Sequence, residues 1–248
     1  MKRAWLVLVG TVLLAGKVQA GRPLVVDDAE PVEYRKSQIE AGVDYIADSE
    51  TRSFASPVTF TYGVVPRLEL AVGSAWLWEH RDEAVDVDEN VNGIGNVAVG
   101  GKWKIIDQET FLADQGLGFS VILPTASADE GLGTGHVDAD LTWLITRKIT
   151  ERLQVDVNLG YTYVGGEDLD DLAHYGVAVA YLLTEQLQPV AEIFGDTPIG
   201  DSGQTVFRIN GGIRWLVAEG LTLDAAIGTG IRGEAPDVFA TMGLTWVF

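Results

Sequence analysis

"RLQVDVNLGYTYV", residues 152–164, alternates without a break: Leu153, Val155, Val157, Leu159, Tyr161 and Tyr163 on one side, Gln154, Asp156, Asn158, Gly160 and Thr162 on the other. A period of two belongs to a β-strand with one apolar and one polar face, because successive side chains leave an extended backbone on opposite sides. The rhythm continues both ways along the chain. "SQIEAGVDYIA" sets Ile39, Ala41, Val43 and Tyr45 against Glu40, Gly42 and Asp44, and "RLELAVGSAWLW" sets Leu68, Leu70, Val72, Trp76 and Trp78 against Glu69, Ala71, Gly73 and Ala75. "FATMGLTWVF" ends the sequence in the same alternation, its last apolar position being Phe248.

About twelve such segments can be marked, at 37–47, 56–64, 67–78, 95–106, 116–125, 137–146, 152–163, 173–183, 187–195, 205–217, 221–231 and 237–248. No amphipathic helix is long enough to cross between parallel strands, so neighbours pair antiparallel. "VVPR", "TRKITER", "LTEQL" and "VAEGL" are short connections, with "IDQETFLADQG" a longer member of the same set; "HRDEAVDVDENVNGIG", "SADEGLGTGH", "GGEDLDD" and "GDTPIGDSGQ" are long and polar. Short turns at one end and long loops at the other, on an even number of strands, predict an all-β fold: a closed antiparallel transmembrane β-barrel of about 12 strands with its long loops outside. A terminal strand is then no frayed edge, since it pairs with the first strand and leaves no backbone facing lipid. A soluble β-sandwich is the alternative, with the same aromatic residues in a shared core.

"MKRAWLVLVGTVLLAGKVQA" has a basic start at Lys2 and Arg3, an apolar run too short to span a bilayer, and small residues before Gly21. Residues 1–20 therefore read as a signal peptide cleaved near Ala20, 21–36 as a periplasmic N-terminal segment and 37–248 as the barrel. The chain carries 36 acidic against 17 basic residues, a formal net charge of −19, and loses Lys2, Arg3 and Lys17 on cleavage. Such a charge repels nucleic acid. With Cys 0 the fold does not rest on disulfides and no lipid-modified cysteine is available.

The aromatic residues predict two belts at the headgroup levels: Tyr45, Trp76, Trp78, Tyr161, Tyr163 and Tyr175 near the outer rim, and Tyr62, Trp103, Tyr181, Trp215 and Trp246 near the inner. The polar faces place Glu40, Asp44, Glu69, Asp138, Asp140, Asp156, Glu192 and Asp224 in the lumen with Lys102, Lys104, Arg208 and Arg214. Buried charges persist only when paired or wet, and Arg208 and Arg214 lie between the strands of Glu192 and Asp224, so cross-strand pairs are expected there. Small inward residues, among them Gly73, Gly160, Gly176 and Gly228, leave room near the axis. In 21–36, Pro23 and Pro31 oppose helix and "PLVV" avoids water, which predicts a partial plug at the periplasmic mouth; a mobile tail is the alternative.

"GRPLVVDDAEPVEYRKSQIEAGVDY", residues 21–45, carries Arg-Pro-Leu, a short apolar step, Asp-Asp-Ala, a spacer and an amphipathic first strand. It resembles the start of an outer-membrane family named for the MetA-pathway of phenol degradation. That resemblance implies a twelve-stranded barrel passing small aromatic or apolar molecules, and supplies no catalytic motif. Phe248 after an alternating strand likewise resembles the terminal signal read by the barrel assembly machinery.

Chemistry is sparse. His136 in "GTGHVDADL" lies close to Asp138 and Asp140, as a water-activating rim site would require, but the simpler reading is a loop-end imidazole beside lumen carboxylates. "DVDENVNG" aligns Asp88, Asn90, Asn92 and Gly93 with a calcium loop whose closing Glu would be Val99, and "GEDLDD" (Glu167, Asp168, Asp170, Asp171) has no ligand scaffold. The glycines of "GIGNVAVGG" enter a strand and form no nucleotide loop. The expectation is therefore no enzyme, no cofactor and no metal, but a narrow channel for an unknown small solute. A structural or surface-interaction barrel is the alternative and a rim hydrolase a more distant one. The expected partners are outer-membrane lipid and lipopolysaccharide.

Overall fold

A computed structural model describes residues 21–49, 51–81, 89–166, 169–200 and 203–248. The expected signal peptide at 1–20, Asp88 and two carboxylates of "GEDLDD", Glu167 and Asp168, lie outside the described residues.

Every regular element among the described residues is a strand: β1 (Ser37–Ala47), β2 (Thr51–Val65), β3 (Leu68–Arg81), β4 (Glu89–Ile94), β5 (Val97–Ile106), β6 (Asp114–Leu123), β7 (Asp138–Lys148), β8 (Leu153–Tyr163), β9 (Asp171–Tyr181), β10 (Leu187–Ile199), β11 (Val206–Ala218), β12 (Leu221–Arg232) and β13 (Val238–Val247). All pairings between these strands are antiparallel, and β1 pairs with both β2 and β13, which closes the ring. β4 and β5 both pair with β3 and are parted only by Gly95 and Asn96, so together they fill one position. The result is a twelve-stranded barrel.

The outer face is the apolar one. Val58, Phe60, Leu141, Trp143, Val177, Val179, Ile209 and Ile213 are 38–55% exposed, whereas the inward Glu69, Asp138, Asp156, Glu192 and Asp224 are at most 6% exposed. Water would penalise that arrangement; hydrocarbon favours it, and a closed ladder leaves no unsatisfied backbone in the apolar layer. This is the inverted patterning of a transmembrane barrel, not of a sandwich.

Several strands outrun their apolar alternation. β2 starts at Thr51 rather than 56, β10 continues to Ile199 rather than 195, and β3 with β4 turns much of the expected "HRDEAVDVDENVNGIG" loop into a hairpin. Polar pairs hold these extensions: His80 Nδ1 meets Asn90 Oδ1 at 3.0 Å across β3 and β4. β9 ends at Tyr181 rather than 183, since Leu183 already turns, donating its N–H to the Leu187 carbonyl. Pro57 lies inside β2 where the ladder to β1 skips, partners passing from Ala41↔Val58 to Asp44↔Ala55, so its missing N–H costs no bond there.

Candidate functional site: a strap across the lumen

Residues 21–34 have no sheet partner along most of their length. Tyr34 bridges to Gly63 at the end of the barrel with the tight turns, and from there the segment runs inward. Pro23 and Pro31 keep it out of regular structure, so its buried N–H and C=O groups have to find partners elsewhere. The wall supplies them. Glu192 accepts from Val25 N–H and Val26 N–H at 2.7–3.0 Å, Asn158 from Asp27 N–H at 2.8 Å and Thr146 from Ala29 N–H at 2.8 Å. Leu24 and Val26 pack into a cluster with Ala178, Ala180, Val190 and Phe194. Fully burying side chains of this size is worth about 1.5–3 kcal/mol each, so the strap is bound by greasy contacts as well as hydrogen bonds.

The strap also completes the charge pattern of the wall. Lys102 Nζ lies 2.9 Å from Asp27 and 3.7 Å from Asp28; Lys104 reaches Glu30 at 2.5 Å and Asp114 at 3.2 Å. Burial pushes the Asp27 carboxyl up, against the pull of the Lys102 ammonium. Arg22 lies 3.4 Å from Asp224 and 3.7 Å from Asp44, and donates to Thr241 at 2.6 Å. Its guanidinium sits over Gly42 and Gly243, where a Cβ would approach within 2.3 and 2.5 Å of it. Among the described residues the two wall arginines form no ion pair with Glu192 or Asp224 and take other partners. Arg208 goes to Asp196 at 2.6 Å, while Arg214 donates to the carbonyls of Gly21 and Arg22, both at 2.7 Å, leaving Asp224 to Arg22. Glu192 receives Asn210 Nδ2 at 2.6 Å instead of an arginine. Glu40 accepts from Arg22 N–H at 3.4 Å, Glu69 from Val32 N–H, and Asp156 from Thr146 at 2.7 Å.

Nor do the inward glycines leave open space. Gly160 is covered by the His174 ring, Gly176 by Val26 and Gly228 by Phe239. A cavity of about 310 Å³ persists beside the strap, with Asp28, Glu40, Glu69, Lys102, Arg214 and Thr222 on its walls.

Toward the long-loop end His136 is the loop-end imidazole of the simpler reading, beside Asp138. His136 is exposed, and the imidazole on Asp140 is that of His174, Nε2 to Oδ2 2.7 Å. Thr142 and Thr162 donate to the same carboxylate at 2.8 and 2.6 Å. Asp138 accepts from Gly165 N–H at 2.8 Å, and Asp171 from Val164 N–H at 2.9 Å, tying loop to wall. Thr142 Oγ1 also lies 3.5 Å from His174 Nε2, and a cavity of about 30 Å³ borders the pair. Among the described residues no group of three or more His, Cys, Asp or Glu is arranged to hold a metal ion.

Trp76, Tyr161 and Tyr163 are exposed on the outer face toward the loop end, and Trp103, Tyr181, Trp215 and Trp246 toward the turn end. Tyr45, Trp78 and Tyr175 are half-buried, Tyr45 and Trp78 packing against Phe54 and Tyr175 against Phe207. Phe248 exchanges backbone bonds with Ser37 at 2.8 and 2.9 Å, continuing the β1–β13 seam, and its ring lies 4.6 Å from that of Trp246.

The family described as "Putative MetA-pathway of phenol degradation" matches residues 20–248. No curated protein matches the chain. Among solved structures, an outer membrane channel from Pseudomonas putida F1 superposes with a TM-score of 0.77 at 12% identity, covering 94% of this chain and 100% of that one. The NanC porin gives 0.63 at 10% identity over 84% and 98%. The CymD monoaromatic hydrocarbon channel gives 0.53 at 9% identity over 86% and 88%.

Proposed function

The chain belongs to the MetA-pathway of phenol degradation family, and on that premise we propose that it is an outer-membrane channel for small solutes, apolar and aromatic molecules among them. The observation that carries this reading is the inverted barrel itself: an apolar exterior around a polar, cavity-bearing lumen. Similarity in fold to proteins described as an outer membrane channel and a monoaromatic hydrocarbon channel supports it. On this reading residues 1–20 are removed near Ala20, the long loops face outward, and the exposed Trp and Tyr residues lie at headgroup level. The seam at Phe248 is presented to the assembly machinery. Acidic loops meet lipopolysaccharide through divalent cations. Inward carboxylates outnumber inward cations, so the lumen prefers cations.

Uptake tests this reading. An outer-membrane-porin-deficient host expressing the chain should take up a labelled monoaromatic hydrocarbon, and a small cationic solute, faster than the same host without it. Equal rates for both solutes, with the barrel present in the outer membrane, would overturn it and favour a structural barrel. The dense bonding of the strap is what gives that second reading its weight.

A further inference from the structure

The wall holds the strap chiefly by its main chain. Asn158 makes a two-point clasp on Asp27, its Oδ1 accepting the N–H and its Nδ2 donating to the C=O, both at 2.8 Å. Glu192 takes two consecutive N–H groups and Thr146 a third. Lys102 and Arg214 donate to strap carbonyls. These bonds are the ones a neighbouring strand would offer, supplied here by side chains from separate strands of the barrel. Groups of this kind read an extended backbone, as sheet-edge recognition does, while pockets beneath alternate side chains supply selectivity. Such pockets are present. Leu24 and Val26, two residues apart, fill the Ala178, Ala180, Val190 and Phe194 cluster, and Val26 covers Gly176, where a Cβ would come within 2.4 Å of it. Asp27 meets Lys102 at 2.9 Å. Ala29 is wholly buried, leaving space for a small side chain only.

None of these contacts needs the covalent link. It runs through residues 33–36, which are exposed. We propose that the lumen wall is a peptide-binding site whose resident ligand is the chain's own strap, and that it accepts a separate extended peptide when the strap is loosened. Its ligand class is a peptide with apolar side chains at alternate positions, then Asp, then Ala two residues on. Tethering gives the strap a millimolar or higher effective concentration, so the parent barrel is already occupied.

The test uses the full chain and a fluorescent nonapeptide, "LVVDDAEPV", copied from residues 24–32 and lacking Arg22. Arg22→Ala loosens the strap from its own side, and Gly42→Leu does so from the wall by displacing the guanidinium. Either variant should bind the peptide at least about tenfold more tightly than the parent, because the tethered competitor is weakened. Adding Asn158→Ala should cost about tenfold or more through the lost clasp, and adding Gly176→Leu should block the Val26 pocket. A scrambled peptide should not bind. Two results would overturn the proposal: no binding to either loosened variant when it retains the heat-modifiable mobility of a folded barrel, or binding that the scrambled peptide and the Asn158→Ala barrel reproduce. The readout is binding, so its failure leaves the channel reading standing.

Discussion

Replacing Glu192 by Ala should release the middle of the strap. The carboxylate accepts from Val25 and Val26 N–H, beside the apolar cluster that Val26 helps to form. A buried backbone donor left without a partner costs about 1–3 kcal/mol, so two cost about 2–6 kcal/mol. Removing a carboxylate that is itself 3% exposed returns part of that sum. The lower end, about 2 kcal/mol, is the conservative figure and corresponds to roughly a thirtyfold shift toward the undocked strap. The chain has no cysteine, so a single Val26→Cys is an unambiguous reporter. In detergent, a small thiol reagent should modify Val26→Cys much more slowly than the exposed control Glu33→Cys, and Glu192→Ala should speed the former about thirtyfold, leaving the control unchanged. An unchanged Val26→Cys rate would refute the claim that these bonds hold the strap. A Val26→Cys as reactive as the control in the parent protein would refute docking altogether.

Three other outcomes are expected. Deleting Phe248 should lower assembled barrel far more than deleting an exposed loop residue such as Asp129, measured as outer-membrane protein of folded mobility; equal assembly would count against a role for the terminal seam. On intact cells Asp129→Cys should be labelled by an impermeant thiol reagent and Glu185→Cys should not, and the reverse pattern would invert the barrel in the membrane. His174→Ala uncovers Gly160 and strips a 2.7 Å partner from buried Asp140, which should destabilise the barrel by about 1–3 kcal/mol; a double-mutant cycle with Asp140→Asn should show coupling, and strict additivity would deny the pair.

The strands could be read from sequence because their cause is local. Leu153 to Tyr163 alternate, and a period of two has one structural meaning. Extensions such as Glu89–Ile94 could not be read that way: the hairpin is held by backbone pairing, by His80–Asn90 and by Val91 packed on the Ala55, Ala75, Leu77 and Leu132 cluster, with no unbroken apolar alternation to betray it. The charge partners failed for a different reason. Asp140 and His174 are far apart in sequence and meet only because the register sets Asp140 against Thr162 and His174 against Gly160, whose missing side chain lets the ring through. Arg22 is invisible as a lumen cation because it precedes the first strand, although it takes Asp224, the register partner of Arg214. The inward glycines were legible as absences of side chain, but what fills an absence is decided by the fold.

Single-channel recording in planar bilayers tests the channel reading most directly. The mature chain should give small, cation-preferring steps, and deletion of residues 22–32 should enlarge them without preventing assembly, since the strap occupies lumen that water would otherwise fill. Folded barrels that stay silent in both forms would contradict it.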